Sequence, residues 1–274
     1  MNRPAFLRYR NNRKTVRSGS GRGRILTGSV ALLAASVLSF GTASRTEAAT
    51  LIFDADLLGT NGITEGTGGT TYNWIPGTTT TFFNGTSTDV FTGSTDIAQF
   101  GFRGTISTSP AIINVSTGTI GGLIFGATTT NGYTLNASAA SQVLTLGVGG
   151  INMISGAQAT TVGSANLSLL LGTAETFINN SASLLTLGGA IDNGGNLLTL
   201  TTTSTGGITV TGAISNTGGL TVNSYAGTAV TLTGANTYSG TTTVNAGGSL
   251  KLDFTAAGAP GSRGTSGEVQ ERTK

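Results

Sequence analysis

The chain contains neither cysteine nor histidine. Thiol and imidazole nucleophiles, the Ser-His-Asp triad, disulfide staples and ordinary zinc ligand sets are therefore excluded. Charge is scarce too: 9% of the 274 residues are Asp, Glu, Lys or Arg, and 6% are aromatic. No Gly-x-Gly-x-x-Gly or Gly-x4-Gly-Lys-Ser/Thr loop occurs, so the usual nucleotide cradles are missing. Carboxylates are the only catalytic groups left to consider.

The acids are few and scattered. Asp54 and Asp56 alternate onto one side of a strand, where a calcium site or a glycosidase pair is conceivable; two Asp at i and i+2 more commonly decorate a solvent face. Asp89 and Asp96 flank Gly93 and Ser94, which read as a turn rather than a metal loop. Glu175 and Asp192 stand isolated in a charge-poor stretch and are expected as exposed turn residues that keep the body soluble. No metal or cofactor is expected.

What the chain has in quantity is threonine (51) and glycine (44). Threonine suits pleated surfaces and glycine suits corners, so the mixture favours many short strands over helices. Regular Leu, Val and Ile alternation, with a mean hydropathy of +0.16, argues for a buried core rather than a flexible linker.

The clearest unit is Val230 to Leu252. Its alternation sends Val230, Leu232, Val244, Leu250 and Leu252 to one face, and Thr231, Thr233, Asn245 and Lys251 to the other. Gly234, Gly240, Gly247 and Gly248 are expected to free the backbone for turns, and Asn236 and Asn245 to adopt left-handed conformations or bond their own backbone. Strands this short cannot bury a face alone, so the unit must stack on copies of itself. Copies are present: Thr209–Asn216 resembles Thr186–Asn193 at an offset of 23 residues, and Leu184–Gly188 echoes Val143–Gly147 at an offset of 41. These read as about one and about two rungs of roughly 20 residues. The expected fold is all-β, a right-handed parallel β-helix.

Residues 232–252, with Gly234, Asn236, Tyr238, Gly240, Thr243 and Val244 at fixed offsets before a Gly-x-Leu-x-Leu strand, resemble the autotransporter-associated β-strand repeat, also called the passenger-associated transport repeat. The resemblance implies an exported β-helical passenger of a Gram-negative bacterium, non-catalytic, with a structural or adhesive role and repeats that assist outer-membrane transport. It implies as partners an outer-membrane translocator and extracellular glycans or proteins. A looser likeness to the lead-in of large repetitive surface proteins lies in residues 96–135. The competing reading is a polysaccharide-active β-helix enzyme of the pectate-lyase kind, which needs clustered Asp and a basic residue in one groove; Arg103 and Lys251 are the only basic candidates ahead of the tail.

Four zones result. Residues 1–48 read as a signal peptide: eight of the 14 basic residues fall within 1–24, Ile25–Phe40 is apolar, and Thr46-Glu47-Ala48 places cleavage between Ala48 and Ala49. Without this leader the charge falls to about −5, with five basic and ten acidic residues. Such a chain repels phosphate backbones, so no nucleic acid is expected, nor any small-molecule substrate. Residues 49–103 hold eight of the 17 aromatics and read as an N-terminal cap, with Tyr72 and Trp74 as packing groups rather than a sugar platform. Residues 104–252 form the repeat body. Residues 253–274 lack a strand pattern and read as disordered, and their position after a well-formed rung suggests a truncated or frame-shifted reading frame.

Overall fold

The structure, a computed structural model, describes residues 48–53, 71–77, 82–83, 88–89, 91, 94–101, 110–128, 130–253 and 269–271. Residues 1–47, which make up nearly all of the segment read as a signal peptide, lie outside them, as do Asp54, Asp56 and Arg103. Among the described residues every regular element is a strand. The strands form a parallel β-solenoid with three strands to a turn, stacked as three ladders.

The first ladder runs Thr71–Trp74, Ala111–Val115, Tyr133–Ala137, Thr160–Val162, Leu185–Leu187, Ile208–Val210, Val230–Leu232 and Leu250–Leu252, each parallel to the next. The second consists of the leading halves of Gly118–Phe125 and Gln142–Met153, then Leu167–Leu171, Ile191–Asp192 and Ile214–Ser215. The third takes Thr50–Phe53, Ile97–Phe100, the trailing halves of the two long strands, Glu175–Asn179, Leu198–Thr202, Leu220–Asn223 and Thr242–Val244. Its first edge is covered by an antiparallel pair, Phe82–Phe83 and Thr88–Asp89. At its other end Val269–Glu271 pairs parallel with Thr242–Val244, so the tail contributes a strand that the sequence pattern did not announce.

Six turns separate Ala111–Val115 from Leu250–Leu252. Their lengths vary from 20 residues (Leu232 to Leu252) to 27 (Leu135 to Val162). The 23-residue echo is a true rung, with Thr186 opposite Thr209 and Ile191 opposite Ile214. The 41-residue echo is not two rungs: Leu144 stacks on Leu169 in the second ladder, whereas Leu185 stacks on Ile208 in the first. Strands on different faces share one Leu-Thr-Leu pattern, because each buries alternate residues.

The core is a set of vertical files inside the ladders. Leu135, Val162, Leu187, Val210 and Leu232 form one file, and Leu144, Leu169, Ile191 and Ile214 another; all are buried. The turn from Leu185 to Gly207 contributes five of these aliphatic side chains, Leu185, Leu187, Ile191, Leu198 and Leu200. A lone turn cannot hold itself; it shares faces and ladder hydrogen bonds with its neighbours. Near the N-terminus the files become aromatic: Phe53, Trp74, Phe82, Phe91, Phe100, Phe125 and Tyr133 pack with ring centroids 4.8–6.3 Å apart. Trp74 is fully buried, which rules it out as an exposed sugar platform, and Tyr72 packs edge-on to Phe53.

Candidate functional site

The repeat motif builds the one turn in the body that lacks its second strand. Where Ile191–Asp192 and Ile214–Ser215 stand in the two turns before it, residues 233–241 form a loop. Asn236 repairs the loss: its side-chain Oδ1 accepts the Ile214 N–H at 2.9 Å, in place of the backbone carbonyl that Ala213 offers Ile191 one turn earlier. The backbone N–H groups of Thr237 and Ser239 donate to Ile214 and Asn216, anchoring the loop to the turn before. Asn236 thus bonds a neighbouring turn rather than its own backbone, and its φ is not left-handed, contrary to expectation.

Tyr238 packs its ring into the core, and its hydroxyl pairs with the Thr242 hydroxyl at 2.6 Å. Burial pushes the phenol's pKa up, against the Thr242 hydrogen bond, which pulls it down. Val244 packs partly against the core, while Thr243 points outward in a row with Thr176, Thr199 and Thr221. The alternation of the last strand is only partly realised: Leu250 is half-buried and Leu252 is 42% exposed, because nothing among the described residues stacks on it.

Gly234 and Gly240 are not there for turning. Neither has a positive φ; each sits where stacked corners touch backbone to backbone. A Cβ on Gly240 would lie 2.5 Å from the Gly218 carbonyl oxygen, and one on Gly234 would overlap the Gly212 carbonyl. Gly212 meets Gly189 the same way, so a glycine column runs up this corner. Only Gly247 serves as a turn glycine, with φ 79° before the Gly248 N–H closes on Asn245. Asn245 likewise bonds outward, its Nδ2 donating to Asn223 in the preceding turn.

The acids do not converge. Among the described residues no three of His, Cys, Asp and Glu gather as metal ligands. Asp192, expected as an exposed turn residue, instead ends the strand Ile191–Asp192 half-buried, and its Oδ1 accepts from the Gly194 backbone and from Asn216 Nδ2. Lys251 pairs with Asp253 at 3.6 Å. Glu175 corrects the expectation of an exposed turn residue. It opens the strand Glu175–Asn179, whose inward residues are Glu175, Phe177 and Asn179, and is only 3% exposed. Strand phase, set by Phe177, forces it inside. Its Oε1 accepts the Thr173 hydroxyl at 2.9 Å, and its Oε2 has no hydrogen-bond partner of good geometry. Burial raises its pKa above the usual carboxylate value, while the Thr173 hydroxyl and Gly150 amide lower it. Asp96 follows the turn at 94–95 as anticipated, yet its side chain is buried and accepts the Ala49 backbone N–H at 2.9 Å. The side chains of Asp89 and the acids further upstream lie outside the described residues.

Sequence reasoning overlooked the corner asparagines. Asn193 is fully buried; its Oδ1 accepts from Gly195 and Gly218, and its Nδ2 donates to the Gly218 carbonyl. Asn179 donates to the carbonyls of Ser183 and Gly207 and accepts from Ser181. Asn179 ends the strand that Glu175 opens and Asn193 follows the strand Ile191–Asp192; each lies two residues after an inward apolar residue, Phe177 and Ile191, and that phase was the available signal. Comparison with protein-family models, curated proteins and solved structures finds no match to this chain.

Proposed function

We propose that the chain is a non-catalytic exported passenger of the autotransporter type, a rod with a structural or adhesive role whose repeated turns assist passage across the outer membrane. The supporting observation is the way each turn is templated on the one before it. Ladder hydrogen bonds, the glycine column and Asn236 all reach back by one turn, so a chain emerging from a membrane can fold turn by turn without waiting for distant segments. The repeat resemblance and the basic, then apolar, leader point the same way.

The test is topological. Fused ahead of a β-barrel translocator and expressed in a Gram-negative bacterium, the full chain should become protease-accessible at the cell surface. Deleting residues 230–252 should lower that exposure. Retention in the cytoplasm would refute export, and unchanged exposure after the deletion would refute a transport role for the motif turn.

A further inference from the structure

We infer that cleavage between Ala48 and Ala49 completes the first turn, by creating an α-ammonium group that pairs with the buried carboxylate of Asp96; this inference rests on the export reading. Asp96 is 1% exposed, and its Oδ1 lies 2.9 Å from the Ala49 nitrogen. The contact belongs to a fixed frame: the Ala49 carbonyl accepts the Ile97 N–H at 2.8 Å, Thr50 and Leu51 pair in register with Ile97 and Ala98, and the Asp96 carbonyl accepts the Gly121 N–H at 2.6 Å. Ala49 is half-buried against the core, whereas Ala48 is exposed. The first residue held against the core therefore follows directly on the bond that the leader pattern marks for cleavage.

Hydrolysis of that bond by signal peptidase consumes one water, leaves a carboxylate on Ala48 and leaves an ammonium on Ala49. The nitrogen keeps its place beside Asp96 but changes from a neutral donor with one proton to a cation with three. A hydrogen bond between two charged groups is shorter and about twice as strong as a neutral one. Processing thus does more than remove a leader: it converts an ordinary amide contact into an ion pair at the base of the stack.

The experiment compares purified full-length chain with the product of its cleavage by signal peptidase. Mass spectrometry should show Ala49 as the first residue of the product, and the product should melt above the precursor. The gap should be present at neutral pH. It should shrink as pH rises far enough to deprotonate an α-ammonium group, whose ordinary pKa is about 8. Asp96→Asn should abolish the gap. Should that variant not fold, acylation of the wild-type product gives a second reading: its α-amine should react more slowly than that of the same product in denaturant. Equal melting of precursor and product, a gap that survives Asp96→Asn, or an α-amine that acylates at the denatured rate would overturn the ion pair. Cleavage at another bond would refute the Ala48–Ala49 assignment, and failure of the chain to leave the cytoplasm in cells would refute export without touching the pair.

Discussion

The two ends of the described solenoid solve the same packing problem with different materials. Around Phe53, Trp74, Phe82, Phe91 and Phe100 the interior is an irregular cluster of rings, most of them meeting edge to face or tilted. From Leu135 to Leu232 it is a file of similar aliphatic side chains, repeated turn after turn. The ring cluster works once, because each ring has several unlike partners. The file can be repeated, because each residue needs only a near-copy of itself above and below. The antiparallel Phe82–Phe83 strand pairs along the outer edge of Thr50–Phe53, so that edge is not left unpaired.

The comparison breaks most sharply with Trp74→Ala. Removing a fully buried indole from the cluster should cost about 3–5 kcal/mol in denaturant unfolding and lower hydrogen-exchange protection in all strands of the first turns. Leu187→Ala in the file should cost about 2–5 kcal/mol, at the upper end only if its neighbours Val162 and Val210 cannot collapse, and the lost protection should stay within the adjoining turns. Gly212→Ala tests the corners: the new Cβ overlaps the Gly189 backbone, so the turns must part locally, at about 1–3 kcal/mol by thermal melting. An unchanged melting temperature would mean that the glycine column is incidental.

The smallest effect concerns acidity. Glu175 holds its proton more tightly when folded than when unfolded, since burial is the largest influence on it. The folded form therefore binds more protons over the interval between the two values. Stability from this group is fully present below the unfolded value of about 4.3 and is lost as pH rises through the higher folded one. Glu175→Gln should remove that slope and leave the acid-side stability unchanged; an unaltered melting profile from pH 4 to 7 would show that the buried carboxylate is not linked to folding.

The solenoid was readable because alternation and turn chemistry agree along residues 184–252. The 23-residue offset was readable because those turns are nearly equal in length. Elsewhere the turns run to 27 residues, and different faces share one pattern, so Leu144 and Leu185 passed for stacked partners. The motif positions were identified but their work was misassigned. Contacts of Gly234 and Asn236 with the previous turn depend on how corners superpose, which local sequence does not encode. Glu175 was misjudged because charge was weighed ahead of strand phase, and the burial of Asp96 was not legible because its partner, Ala49, lies 47 residues away.

Outward from the core, Thr134, Thr161, Thr186, Thr209 and Thr231 occupy the same position on five successive turns. Sliding the body along its axis by one turn brings each of these residues onto an equivalent one. A structure with that translational symmetry has no preferred number of turns: excising residues 188–210 would rejoin Leu187 to Thr211, the position that Gly188 had occupied, and leave both ends with the partners they had. Length in such a rod is a free variable, set by how many copies a gene carries and not by any contact inside the fold.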